Sequence, residues 1–174
     1  IKSCSFAENS ARIKITSRTE TDSNSPCTNI RIPITFMDSA FNRYDAMIID
    51  NEEEIEHIIS LPFTPQAAFL DFDEEFFDLT TDSYKIISEP SNYEFKNSYF
   101  KANVTSCQDS VLLRPTLHWV GANQEQLPEG VSRFSQKHYW TIEGVNLDKA
   151  EIEAKFYFKI SFSERDFDNS LLPD

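Results

Sequence analysis

The chain has 174 residues, 40% of them hydrophobic and fifteen of them Phe, enough to build a real core in one large or two small domains, a composition that argues against a disordered chain. A formal net charge of −13 argues against a nucleic-acid partner, which needs a clustered positive surface, and against docking on an anionic membrane. No apolar run approaches the roughly 18–20 residues of a membrane-spanning helix, so no membrane insertion is expected.

Alternation of apolar and polar residues recurs from one end to the other, and period two means strands with one face on a core. Ile13 and Ile15 mark a strand over Arg12–Thr19, and Ile30, Ile32, Ile34 and Phe36 mark a second. Pro33 sits inside that second run and lacks an N–H for a ladder, which predicts an edge position or a bulge. Tyr44–Ile49 and Ile55–Leu61 follow around an Asp50-Asn51-Glu52 turn, then Ala68–Phe72 and Glu75–Leu79 around Asp73-Glu74. After a composition shift at Thr80-Thr81-Asp82-Ser83 come Tyr84–Ser88, Phe100–Thr105, Val111–Leu113 continuing towards Trp119, and His138–Ile142, with Gly121–Val131 as a loop. The clearest signal is Ala150–Phe162: Ile152, Ala154, Phe156, Phe158, Ile160 and Phe162 alternate with Glu151, Glu153, Lys155, Tyr157, Lys159 and Ser161. This pattern predicts an all-β fold of tandem antiparallel β-sandwich units, of immunoglobulin- or fibronectin type III-like kind, over residues 1–80 and 81–174. One continuous sandwich is the alternative. With only three Gly in the chain, the turns must lean on Asn, Asp, Ser and Pro.

Charge is unevenly placed: Asp45–Asp78 holds eleven acidic residues and no Lys or Arg, while the remainder is nearly balanced. Within it, Leu70-Asp71-Phe72-Asp73-Glu74-Glu75-Phe76-Phe77-Asp78 raises a calcium site, since calcium takes six to eight oxygen ligands. The run lacks the Gly and the Asp/Asn spacing of a calcium loop, and its acids alternate with large apolar residues, so a solvated turn is the preferred reading over calcium. H-E-x-x-H, G-x-S-x-G, P-loop and G-x-G-x-x-G motifs are all absent. His57, His118 and His138 are isolated from one another in sequence, and packing of His118 and His138 among Trp119, Tyr139 and Trp140 is preferred to a shared metal. Trp119, Tyr139 and Trp140 offer a sugar-stacking platform if exposed, and core aromatics if buried. No pair of carboxylates stands out as a glycosidase pair. No catalytic, cofactor-binding or metal-ligating residue is therefore assigned. Cys4 and Cys27 flank a predicted hairpin and are candidates for a disulfide, which would leave Cys107 as a buried thiol; three unpaired cysteines are the equal alternative.

Four segments carry a family resemblance: LDFDEEFFDLTTDSYKIISEP, NSYFKANVTSCQDSVLLRPTLHWVGAN, SQKHYWTIEGVN and AKFYFKISFSERDFDNSLL. With them, Leu70–Pro173 resembles the region downstream of the catalytic domain in large secreted aminopeptidase N-like zinc metallopeptidases (gluzincins) of Bacteroidota. Residues Ala11–Pro65, with Ile32-Pro33-Ile34, fit the β-domain after the peptidase domain less specifically. The resemblance implies a non-catalytic accessory segment of a secreted or cell-surface protein exported by the type IX system. Its partners would be the catalytic domain of its own parent chain or other extracellular proteins. No zinc-binding or catalytic residue of that family falls in this chain. The opening at Ile1, with neither an initiator Met nor a leader, fits an internal or processed piece, and the family's further strands and sorting domain would lie beyond Asp174, which leaves the completeness of the second unit open. The alternative function is a stand-alone extracellular binding or adhesion module recognising glycan or protein.

Overall fold

The computed structural model describes residues 3–15, 29–50, 56–75, 78–122, 135 and 137–157. It divides into two compact units, Ile1–Phe77 and Asp78–Asp174. Strands in the first are β1 Ser3–Ala7, β2 Ser10–Lys14, β3 Ile30–Met37, β4 Arg43–Asp50, β5 Glu56–Ser60 and β6 Ala67–Leu70. Those in the second are β7 Thr80–Asp82, β8 Lys85–Ile87, β9 Ser91–Phe95, β10 Phe100–Cys107, β11 Val111–His118, β12 Tyr139–Val145 and β13 Ala150–Phe156. Among the described residues the helical content is a single 3-10 turn, Leu147–Lys149. The fold is all-β, every pairing is antiparallel, and each unit has sandwich architecture.

In the first unit the sheets run β1-β2-β5 and β4-β3-β6. Ala11 and Ile13 of β2 meet Ile34 and Phe36 of β3 and Ile48 of β4 in one buried cluster, closed by Ile15 and Leu61. The alternation in β2 explains the choice of face: Arg12, between the two buried residues, points outward to Glu56 of β5 at 2.7 Å. The β3–β4 hairpin is held by Asp38, whose Oδ1 accepts from the N–H groups of Ala40 and Asn42 at 2.9 Å each. Pro33 does not lie at an edge, as its ring suggested; β3 is the central strand. The ladder with β6 stops at Ile34↔Leu70, and beyond it Asp71 N–H donates to the Pro33 carbonyl at 2.9 Å with no return bond to make. Pro33 is tolerated because its missing donor falls where the neighbouring strand leaves. Of the strand expected over Glu75–Leu79, Glu75, Asp78 and Leu79 lie outside any strand, and Phe76 and Phe77 lie outside the described residues. Asp71 and Glu74 take left-handed backbone and break the extended run.

In the second unit the sheets run β13-β10-β9 and β12-β11-β7, with β8 continuing beside β11. Phe95, Phe100, Ala102 and Val104 from the first sheet pack on Ile87, Val111 and Leu113 from the second. β7 and β8 keep one register along β11, Asp82 opposite Thr116 and Lys85 opposite Leu113. The break between them places Ser83 opposite Pro115, a second proline whose missing donor meets a gap in the ladder. β13 sets Ile152, Ala154 and Phe156 opposite the buried Val104, Ala102 and Phe100 of β10, with one irregularity between Val104 and Ser106. Of these three only Ile152 is partly buried, Ala154 and Phe156 being exposed, and Phe158–Phe162, the rest of the expected strand, lie outside the described residues. Three strands escaped the periodicity: β1, exposed throughout, and the short β7 and β9.

Among the described residues, seven other than glycine have positive φ: Asn9, Asn29, Phe41, Asp71, Glu74, Tyr99 and Asn146. Asn and Asp reach this region at small cost, whereas Phe41 and Tyr99 carry strain of roughly 1–2 kcal/mol each. Gly144, by contrast, sits in β12 opposite Leu113. A Cβ there would lie 2.0 Å from the Leu112 carbonyl oxygen and 2.7 Å from Leu147 Cδ2, so it is small because the 3-10 turn folds over it.

Candidate functional site

Among the described residues, chemistry-bearing side chains gather in three places, one in the first unit and two in the second. In the first unit, a groove of about 320 Å³ runs along β3 and β4 beside the acidic run, lined by Thr35, Arg43, Asp45, Met47, Phe72 and Asp73 among others. Arg43 organises it. Its Nε donates to both oxygens of Asp45 at 2.7 and 2.9 Å, its terminal nitrogens bond to Asp73, and its guanidinium lies 5.3 Å from the centre of the Phe72 ring. Thr35 adds a 2.6 Å hydrogen bond to Asp45, and Asp71 accepts from the Glu75 N–H at 2.8 Å. Of the carboxylates that sequence raised for calcium, Asp73 thus turns towards Arg43, and Asp71 and Asp78 accept from backbone N–H groups. Among the described residues, no three His, Cys, Asp or Glu side chains gather as metal ligands would.

The second place is the face of β11 turned away from the apolar core. Residues Val111–Leu117 are buried on both faces of the strand, because odd positions meet the core while Leu112, Arg114 and Thr116 are occluded on the other side. Arg114 forms an ion pair with Asp82 of β7, the two side chains only 4% and 3% exposed. Glu143, directly across on β12, approaches Arg114 to 3.8 Å. Burial pushes the Glu143 carboxyl up from its ordinary range, against the pull of Arg114. Thr116 Oγ1 is buried here without a hydrogen-bond partner among the described residues. At the end of the same face His118 stacks on Tyr139, ring centres 4.3 Å apart and planes 2° from parallel. Its Nε2 lies 2.9 Å from Thr141 Oγ1, a hydrogen bond. Burial pushes the imidazole down to about 4, so His118 is neutral at pH 7. The aromatic neighbour expected for His118 is thus Tyr139.

The third place is the aromatic end of the second unit. Phe100, Phe156, Trp140 and His138 form a chain of rings at centre distances of 5.2, 5.3 and 5.0 Å. Trp140 Nε1 donates to the Ser98 carbonyl at 2.7 Å. Outside this chain, Trp119 meets Tyr99 edge-on at 6.2 Å and donates from Nε1 to Thr81 Oγ1 at 3.0 Å. The three aromatics grouped by sequence therefore separate: Trp140 is tied into the half-buried ring chain, Tyr139 stacks on His118, and Trp119 reaches solvent beside Tyr99.

Of the remaining candidates, Cys4 is exposed on the edge strand β1, and partial burial raises its thiol pKa. Cys27 lies outside the described residues. Cys107 is half-buried rather than buried, its thiol 2.8 Å from the Asp109 carbonyl oxygen. His57 lies on β5, opposite Ile13 of β2. Sequence reasoning missed the Asp82–Arg114–Glu143 cluster altogether; the one signal was a charge, Arg114, within the apolar run VLLRPTLHWV. Comparisons with family models, curated proteins and solved structures returned no match, so the resemblance to the metallopeptidase segment stands on its four sequence blocks alone.

Proposed function

We propose that this chain is a non-catalytic β-sandwich segment that braces or spaces a partner domain. In its specific form, that partner is the catalytic domain of a secreted or cell-surface aminopeptidase N-like metallopeptidase. The observation that carries the reading is how the polar residues of the β11 face are used. Arg114 and Asp82 neutralise each other out of contact with water, and His118 has its ring stacked and its Nε2 occupied. A general base has to reach its proton donor within hydrogen-bond distance, and these groups reach one another instead. Such a face works as a rigid polar layer within a scaffold.

Two measurements test the reading. The purified chain, assayed on aminoacyl-nitroanilides and on ester and glycoside chromogens, is expected to give no turnover above buffer. Turnover that disappears in His118→Gln would overturn it. The reading frame that contains the chain tests the specific form: an H-E-x-x-H helix encoded upstream supports a peptidase accessory, and a frame without one removes that partner.

A further inference from the structure

We propose that the aromatic end of the second unit is a binding site for neutral carbohydrate, with a pyranose ring seated in the corner between Trp119 and Tyr99. The inference goes beyond a bracing role and does not rest on it. Three aromatic side chains are exposed together here: Tyr99 at 52%, Tyr157 at 47% and Trp119 at 37%. Trp119 and Tyr99 stand at 87° with ring centres 6.2 Å apart, so one ring offers a face while the other walls its side. Tyr157 joins them through its N–H, which donates to the Tyr99 carbonyl at 2.9 Å. The polarised C–H face of a sugar complements the negative face of an aromatic ring, and its hydroxyls need polar neighbours at the rim. The phenol groups of Tyr99 and Tyr157 and the Thr81 hydroxyl beside Trp119 Nε1 supply them.

Charge and size choose among occupants. Lys101, which lies 5.1 Å from the centre of the Tyr157 ring, is held by Glu94 at 3.0 Å, and Asp78 turns its Oδ1 to the Thr80 N–H and hydroxyl. A chain of net charge −13 disfavours anions, and the rim answers its own charges, Lys101 with Glu94 and Asp78 with Thr80, so a neutral ligand suits it. A stable protein partner would need about 20–30 residues a side. Among the described residues, along β10 and β13 the exposed aromatics give way at once to charged and polar residues, Lys101, Lys155, Asn103 and Glu153, a surface suited to one or two sugar rings.

The test is native affinity electrophoresis of the full chain through gels containing soluble β-glucan, xylan or mannan, a method suited to an acidic protein. Retardation is expected in at least one gel, weakened about tenfold in Trp119→Ala and in Tyr99→Gly, with Met47→Ala of the first unit unchanged. Tyr99→Gly relieves a left-handed backbone (φ 49°), so its melting temperature should be no lower than the parent's, and lost binding in it is not lost folding. Migration unaffected by all three polysaccharides overturns the proposal, as does retardation that both aromatic variants retain. Self-association through Trp119 and Tyr99, without polysaccharide binding, would reassign the surface to protein contact and overturn it as well.

Discussion

The two units solve the same electrostatic problem in opposite places. In the first, Arg43 joins Asp45 and Asp73 at the rim of an open groove, each side chain about a third or more exposed to water. In the second, Arg114 joins Asp82 beneath the surface, with Glu143 alongside. Water screens the first set and lets each member stand alone; Arg114 and Asp82, 4% and 3% exposed, have no such recourse, although Glu143 beside them is 40% exposed. A charge pair in solvent is close to interchangeable with its absence, whereas a buried pair makes each partner obligatory to the other.

That contrast can be broken or sharpened by measurement. Arg114→Ala leaves Asp82 charged and buried without its partner, and is expected to destabilise the second unit by about 3–5 kcal/mol, read from urea unfolding. The double variant Arg114→Met with Asp82→Leu should recover most of that loss; a double variant as unstable as the single one would show that the pair does more than neutralise itself. A pH titration of stability comes next. His118 has a folded pKa of about 4 against an ordinary 6.5, so the unfolded state takes up a proton first as pH falls. Stability is then fully present above pH 6.5 and is lost as pH drops through 4, by on the order of 2–3 kcal/mol. His118→Gln keeps a partner for Thr141 and should remove this component of the slope. Gly144→Ala drives a methyl into the Leu112 carbonyl and Leu147, and should lower stability by about 1–3 kcal/mol. Arg43→Gln, at the exposed cluster, should change stability by less than about 1 kcal/mol, with the difference shrinking in high salt. An Arg43 effect as large as that of Arg114 would end the comparison.

Legibility in sequence followed the kind of signal each segment carried. β10 was readable because alternation records burial on one face, and β13 because its apolar residues fall opposite the buried ones of β10. β3 was readable through Ile34 and Phe36, although Thr35 and Met37 on its other face are buried too. β1 was not, since an exposed edge strand buries nothing and leaves no period. β7 and β9 were too short, or too polar, for two turns of the pattern to register. Pro33 misled for a related reason. A missing donor marks a local gap in one ladder, and the sequence does not say whether that gap is a sheet edge or the end of one neighbour.

Sequence by itself determined the all-β class and most of the strands, because side-chain period and backbone period coincide in a strand and burial of the apolar set follows directly. Tertiary structure alone decided which polar residues meet. Asp82, Arg114 and Glu143 are separated by tens of residues and come together only when β7 and β12 flank β11. It also decided that Trp119 faces water while Trp140 is tied into the ring chain. Strand pairing fixes such encounters through register and sheet order, and neither quantity is written in the local alternation of any one segment.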